Sequence, residues 1–306
     1  MKILVTGGAG FIGSHIVAQL HACAEVRVLD NLRSGFRHNL DGLRHEFIAG
    51  SILDREVVRA AMRDVEYVFH LAAMVSVPQS VQQPKECAAI NTNGTLIVLE
   101  EAARAGVKKL TFSSSAAVYG DSPVVPKVET MAPAPVSPYA ATKLEGEVFC
   151  AQFAREGKLA TVCLRYFNVF GARQDPRSQY AAAVPAFIER ALRNEPLTIY
   201  GDGEQTRDFV PVETVAAANI FLATQSDAAG VFNVAGGEAI TVNELAKTIC
   251  ALTGSRSEIR HAAERPGDVK HSRADIARLR ATGFSASSNF SVALGETIAY
   301  FRARKK

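Results

Sequence analysis

Residues 3–13, Ile3-Leu4-Val5-Thr6-Gly7-Gly8-Ala9-Gly10-Phe11-Ile12-Gly13, carry an apolar run into a glycine-rich turn. Ile3, Leu4 and Val5 suit a strand covered on both faces, and Ile12, Ile16 and Leu20 then recur at helical spacing. Each spaced glycine meets a geometric demand. Gly7 allows a tight turn, Gly10 lets the backbone approach a pyrophosphate, and Gly13 lets the helix pack onto the strand. Phe11, Ile12 and Gly13 open that helix, whose first N–H groups are donors for phosphate oxygens. The spacing GxxGxxG alone is a weak signal; in a strand-turn-helix setting it marks a dinucleotide site.

The next strand, Val26-Arg27-Val28-Leu29, ends in Asp30. An acid about 20 residues beyond such a loop holds the adenosine ribose diol. NAD is therefore the expected cofactor, since a carboxylate there repels a 2′-phosphate, while Arg33 and Arg37 leave NADP as the alternative.

With 306 residues and 48% hydrophobic content, the chain can bury one large core or two modest ones. A net charge of +3 argues against nucleic acid, and the basic end Arg302-Ala303-Arg304-Lys305-Lys306 reads as a solvated helix terminus. Five scattered cysteines without a CxxC pair point to a reducing compartment and no structural metal. No run of 18 apolar residues exists, and the chain enters its first strand at once, so a cytoplasmic protein off the membrane is expected.

Up to about residue 165, strands at Glu46–Ala49, Tyr67–Leu71, Leu110–Ser113 and Thr161–Leu164 alternate with helical segments. That rhythm implies a doubly wound parallel sheet. Long helices are expected from Val81 to Ala105 and from Pro138 to Arg155. After Arg165 the pattern breaks into helix pieces, short strands and turns such as Gly201-Asp202-Gly203, as a smaller second domain would. Thr241 and Glu244 fit a capping box, and Ser291 is a candidate cap for a last helix.

In such sheets the ligand lies beyond the carboxyl ends of the strands. Those ends read His70-Leu71-Ala72-Ala73, Ser113-Ser114-Ser115 and Tyr166-Phe167-Asn168, with His70 expected to be a packed strand residue rather than a base. Tyr139 and Lys143 stand four apart in a helix and so share one face. A free phenol with a pKa of about 10 is nearly all protonated at neutral pH. An adjacent ammonium and a positive nicotinamide ring would lower that value and make the tyrosine a usable base.

In combination, TGGAGFIG, Asp30, HLAA, Asn91-x-x-Gly94, SSSAAVYG, Tyr139/Lys143 and RYFNVFG resemble the extended short-chain dehydrogenase/reductase superfamily, within it the UDP-sugar 4-epimerases. The resemblance implies a Rossmann α/β fold with a smaller C-terminal α/β substrate domain. The NAD-binding part would span residues 1–168, completed by a returning segment near 208–235, and residues 169–306 would be mainly substrate domain. It implies Ser115, Tyr139 and Lys143 as the catalytic set, tightly held NAD, and a homodimer packed through the long helices. Cofactor contacts then extend to Asn31, Ser34, Gly35, Ser51, Ile52, Leu71, Ala72, Ala73, Asn91, Ser113, Tyr166 and Phe167. One departure stands out: Ser51 replaces the family's usual adenine-site aspartate, which weakens that contact or leaves it to the backbone.

The dehydratases and decarboxylases of this superfamily carry acidic residues after the strand-end serine or threonine. Here Ala116 and Ala117 stand instead, so the extra acid and base for removing water are missing. By resemblance, Asn168, Arg207 and Arg265 grip the diphosphate, as arginine forks suit phosphate. Asp268 takes the uridine ribose, and Thr198 and Tyr200 belong to the base-binding segment. Ser272 stands where a bulky tyrosine would exclude N-acetyl groups, and Ser76 lines the same sugar pocket. The expected substrate is a UDP-hexose, N-acetylated sugars included. The alternatives are a uronic acid 4-epimerase, a 5-epimerase, a net oxidoreductase or a non-catalytic NAD-binding regulator.

Overall fold

The computed structural model describes residues 1–176, 182–264, 270–286 and 289–304. Strands β1 (Lys2–Thr6), β2 (Glu25–Asp30), β3 (Glu46–Ala49), β4 (Tyr67–His70), β5 (Lys109–Ser115) and β6 (Ala160–Tyr166) follow one another through the first half. Downstream come β7 (Val169–Phe170), β8 (Leu197–Tyr200), β9 (Thr206–Arg207), β10 (Val210–Pro211), β11 (Gly230–Val234), β12 (Ile240–Thr241), β13 (Ile259–Ala262) and β14 (His271–Ser272). The helices are α1 (Phe11–Leu20), α2 (Arg55–Ala61), α3 (Val77–Gln82), α4 (Pro84–Ala88), α5 (Gly94–Arg104), α6 (Pro138–Arg155), α7 (Ala183–Leu192), α8 (Val212–Thr224), α9 (Val242–Thr253), α10 (Ala277–Ala281) and α11 (Phe290–Ala303).

Seven strands make the central sheet in the order β3-β2-β1-β4-β5-β6-β11, every pair parallel. The apolar runs have their reason here, because both faces are covered. Ile16, Val17 and Leu20 of α1 pack with Ala216 and Ala223 of α8 on Ile3, Val5 and Phe69. On the opposite face Val58, Val98, Leu99 and Cys150, from α2, α5 and α6, pack on Leu4, Val68, Leu110 and Phe112. Each large aliphatic side chain so buried contributes about 1.5–3 kcal/mol relative to exposure. Strand order reverses between β1 and β4, so the crevice of a doubly wound sheet opens at their carboxyl ends. A second layer is built by α7, α9, α11 and β8 around Phe187, Ile188, Leu197, Leu245 and Leu294.

Two local expectations need correction. The helix expected from Val81 to Ala105 starts at Val77 and is broken into α3, α4, a wide π-type turn at Ala89–Asn93, and α5. Pro84 cannot donate an N–H inside a helix, so the chain restarts there. The last helix is capped by Asn289, whose side chain accepts from the Val292 N–H; Ser291 lies inside the first turn. The Thr241/Glu244 capping box is present in full at α9. Among the described residues, no helix is long and apolar enough to cross a membrane, and no cluster of His, Cys, Asp and Glu is arranged to hold a metal ion.

Candidate active site

The glycine turn is built as its spacing demands. Gly7 has φ +71°, and a Cβ on it would lie 2.7 Å from the backbone nitrogen of Ala72; a Cβ on Gly13 would lie 2.3 Å from the Gly7 carbonyl oxygen. The loops after β1 and β4 therefore touch at the switch point. Helix α1 begins without a side-chain cap or an acidic residue in its first turn, which leaves its positive end for an anion. Asp30 is buried. Its carboxylate accepts from Ala9 N at 2.9 Å and Leu32 N at 2.7 Å, and each oxygen keeps a lone pair for a diol. Burial raises its pKa, and these two backbone bonds oppose the shift. Uncapped helix end, glycine turn and carboxylate together fit a dinucleotide. Asn31 and Ser34 are exposed along the rim, with Gly35 buried against Ala9 and Gly10. The Ser51 hydroxyl is used in its own turn, accepting from Leu53 N, beside buried Ile52.

Beneath the crevice the polar groups are tightly interlocked. The His70 Nδ1 meets Thr6 Oγ1 at 2.7 Å and its Nε2 meets Thr95 Oγ1 at 3.0 Å, and Thr6 also accepts from Ala72 N. Burial, with help from the Lys143 charge, pushes His70 down to about 3, so it is the packed neutral residue expected rather than a base. Both N–H groups of the Asn91 amide are taken, by Met74 O and Thr142 Oγ1, while its oxygen accepts from Met74 N. What Asn91 offers a cofactor is thus limited to one remaining lone pair. Leu71, Ala72 and Ala73 are half-buried along the β4 end.

Tyr139 and Lys143 lie on the face of α6 turned to the sheet. Pro138 opens the helix and Ser137 caps it, accepting from Ala140 N. The Tyr139 backbone is clasped by residues the sequence did not single out: Ser80 Oγ accepts its N–H and Thr142 Oγ1 donates to its carbonyl. Lys143 is buried; its Nζ donates to Ser113 O at 2.8 Å, 5.1 Å from the Phe112 ring centroid and 5.8 Å from that of Tyr139. Burial lowers its pKa to about 8. The Tyr139 phenol is raised by burial, with the Ser115 hydroxyl pulling it back down. The expected lowering by Lys143 is not what sets the phenol: burial is the largest influence, and Ser115 rather than Lys143 is the group that opposes it. Ser115 sits half-buried at the strand end, accepting from Ala117 N.

Ser113 Oγ meets the Tyr166 hydroxyl at 2.9 Å, and Asn219 shares that hydroxyl, so these groups form the floor. Burial pushes Tyr166 up to about 12. Phe167 donates its N–H to Val234 O, and Asn168 Nδ2 reaches Asp208 O at 3.1 Å. Asp208 is fully buried, accepting from Gly236, Gly237 and Ala274 N–H groups, with burial raising it to about 6. Next to it, Arg207 in β9 is the register partner of Ser272 in β14. Asn168, Arg207 and Ser272 are thus strung together from the β6 end. Thr198 is half-buried in β8 and Tyr200 is 38% exposed. Ser76 caps α3, accepting from Gln79 N. Arg265 and Asp268 lie outside the described residues.

A cavity of about 300 Å³ lies elsewhere, between Phe36, His38, the loop at Arg173 and α11. Its arginines are engaged within the protein: Arg173 with Ser14 O, Arg193 with Glu189, Arg304 with Tyr300 and His38.

Residues 3–235 match the family described as "NAD dependent epimerase/dehydratase family". A UDP-N-acetylglucosamine 4-epimerase from Methanobrevibacter ruminantium M1, solved with UDP-N-acetylmuramic acid, is 42% identical with a TM-score of 0.96, covering 99% of this chain and 98% of its own. A UDP-glucose 4-epimerase from Thermotoga maritima, solved with UDP-glucose, is 42% identical with a TM-score of 0.95 over 100% of both chains. A UDP-glucose 4-epimerase from Thermus thermophilus, solved with NAD, is 39% identical with a TM-score of 0.90 over 99% of both.

Proposed function

The chain belongs to the NAD dependent epimerase/dehydratase family, and from that premise we propose that it interconverts the C4 epimers of a UDP-hexose through a transient 4-ketose. The observation that carries the proposal is Tyr139 and Lys143 on one face of α6, opposite Ser115, at the carboxyl ends of the central strands.

Tyr139 takes the proton of the C4 hydroxyl, and Ser115 hydrogen-bonds the same oxygen and the phenol. Lys143, held by Ser113 O, orients the nicotinamide ribose and keeps positive charge near the phenol. NAD, when bound, supplies reversible hydride exchange with C4, and its nicotinamide charge favours the phenolate that burial opposes. The glycine turn and α1 hold its pyrophosphate, and Asp30 its adenosine ribose. Inversion needs the sugar to turn while the nucleotide stays fixed. Asn168 and Arg207, with Arg265 and Asp268, are assigned the fixed end, and Thr198 and Tyr200 the base. Ser76 and Ser272 are assigned the sugar, where a small side chain at 272 admits an acetamido group.

The same reading includes a homodimer packed through α3 to α6, where Val81 (62%) and Val148 (56%) stand exposed. It also includes a cytoplasmic setting, in keeping with five cysteines that are all unpaired. A proton NMR time course with UDP-glucose and, separately, UDP-N-acetylglucosamine tests the function. Growth of the galacto anomeric signal from either substrate is expected; two unchanged spectra from NAD-loaded protein would refute it.

A further inference from the structure

We propose that Glu147 is a positioning residue for the reaction: its buried carboxylate fixes α6 lengthwise on the sheet and so sets Tyr139 against Ser115. The inference rests on the role of Tyr139 given above.

Tyr139, Lys143 and Glu147 follow at four-residue intervals and form one stripe along α6. Each meets the same strand end. Tyr139 interacts with Ser115, Lys143 with the carbonyl of Ser113, and Glu147 with Ser114 between them. Ser114 Oγ donates to Glu147 Oε1 at 2.5 Å. The Arg165 guanidinium completes the clamp, with Nε on Oε1 at 2.8 Å and Nη2 on Oε2 at 2.7 Å. Ser114 and Arg165 are register partners on adjacent strands, one step before Ser115 and Tyr166. One carboxylate thus reads the registers of β5 and β6 together, at the step that precedes the reacting groups.

The anchor itself is held. The Arg165 guanidinium carbon lies 4.7 Å from the Tyr119 ring centroid, and the Tyr119 hydroxyl donates to Asn233 of β11 at 2.6 Å. Burial works against the Arg165 charge, yet the hydrogen bonds and charge of Glu147 raise its pKa. The depth of α6 is set separately: a Cβ on Gly146 would lie 2.3 Å from the Phe112 ring, so only glycine lets the helix sit this close. With depth fixed there, Glu147 joins the Ser80 and Lys143 contacts in opposing sliding along the axis, and it is the one that ties the helix to two strands at once. A slip of one residue, about 1.5 Å, would break every Glu147 bond and carry the phenol away from Ser115 by the same distance. A buried ion pair contributes little net stability over apolar packing, so fixing geometry is the benefit a buried pair can supply.

Three variants test this: Ser114→Ala, which spares the ion pair; Glu147→Gln; and Glu147→Met with Arg165→Met, which leaves no charge orphaned. The readouts are kcat, KM, NAD content, melting temperature and the pH profile of kcat. For Glu147→Gln a kcat loss of about 10–100-fold is expected, as for a misplacement near 1 Å, with KM and NAD content nearly unchanged. The acid limb of the pH profile should move upward in both Glu147→Gln and Ser114→Ala, because Ser115 then supports the phenolate less well. The double variant should regain melting temperature without regaining kcat. A double variant with full kcat, or a Ser114→Ala enzyme with wild-type kcat and pH profile, would overturn the role of Glu147. Wild-type protein assayed alongside keeps the two claims apart, since its failure to epimerise would remove the functional reading itself.

Discussion

The Lys143 ammonium stands 2.8 Å from the carbonyl oxygen of Ser113, buried, with that carbonyl as its one hydrogen-bond acceptor among the described residues. One N–H is thereby used, and two remain for a ligand.

Burial brings Lys143 to about 8, so its positive charge and third N–H are present below that pH and are lost as pH rises through it. The affinity of the cofactor-free protein for NAD should therefore fall between about pH 7 and 9, and Lys143→Met should bind weakly with a flat profile. Fluorescence titration across this range checks it; a Lys143→Met profile as steep as wild type would assign the titration to another group.

Tyr139→Phe removes one hydroxyl, whose principal neighbour is Ser115, and leaves the ring packing intact. Turnover should drop by about 10²–10⁴-fold, the range for a lost acid-base group, with NAD content and melting temperature preserved. Activity near wild type would sink the mechanism.

Gly13→Ala places a methyl 2.3 Å from the Gly7 carbonyl oxygen, a backbone atom that cannot rotate away. The strained turn should cost about 1–3 kcal/mol and loosen the pyrophosphate site. Melting curves and bound NAD after gel filtration should both fall; retention of NAD at wild-type level would show that the turn adapts.

His70 is held neutral down to about 3 by burial, whereas an unfolded histidine takes up a proton near 6.5. The unfolded state thus binds the extra proton between these values, and stability should decline as pH falls through that window. Equilibrium unfolding of His70→Gln should show a slope shallower by about one proton between pH 6.5 and 4. An unchanged slope would place the acid sensitivity elsewhere, with His15, lowered to about 4 by burial, next to examine.

Ser272, half-buried in register with Arg207, stands where added bulk would project beside the proposed phosphate grip. Ser272→Tyr should reduce activity on UDP-N-acetylglucosamine about tenfold more than on UDP-glucose, consistent with steric discrimination of one substituent. Equal losses on both sugars would refute the gate.

Much of this was legible in the sequence because it rests on short-range geometry. Gly7 to Gly13, Asp30 and the Tyr139/Lys143 pair lie within single turns or strand ends, and their spacing states their placement. The interruption of the helix from Val77 was signalled by Pro84, but the wide turn that swings Asn91 inward depends on Met74 and Thr142, distant in the chain. Asn289 and Ser291 are both cap-forming types, so periodicity alone could not choose between them. The Ser272–Arg207 register lies in strands of two residues, too short for any alternation to show. Glu147 was visible as the next residue of the Tyr139–Lys143 stripe, but its partners Ser114 and Arg165 come from two other strands.

The central sheet is completed on the β6 side by β11, which is separated from β6 in sequence by α7 and β8 of the second layer and by α8, which packs on the sheet itself. During synthesis β6 is therefore an open edge carrying Val162 and Leu164 until residue 234 has emerged, a wait of several seconds at ~5–20 residues per second. An exposed apolar edge of this kind invites pairing with other chains. A truncation after Asn168 would leave the β6 edge without β11, and it should aggregate rather than yield a small dinucleotide-binding protein.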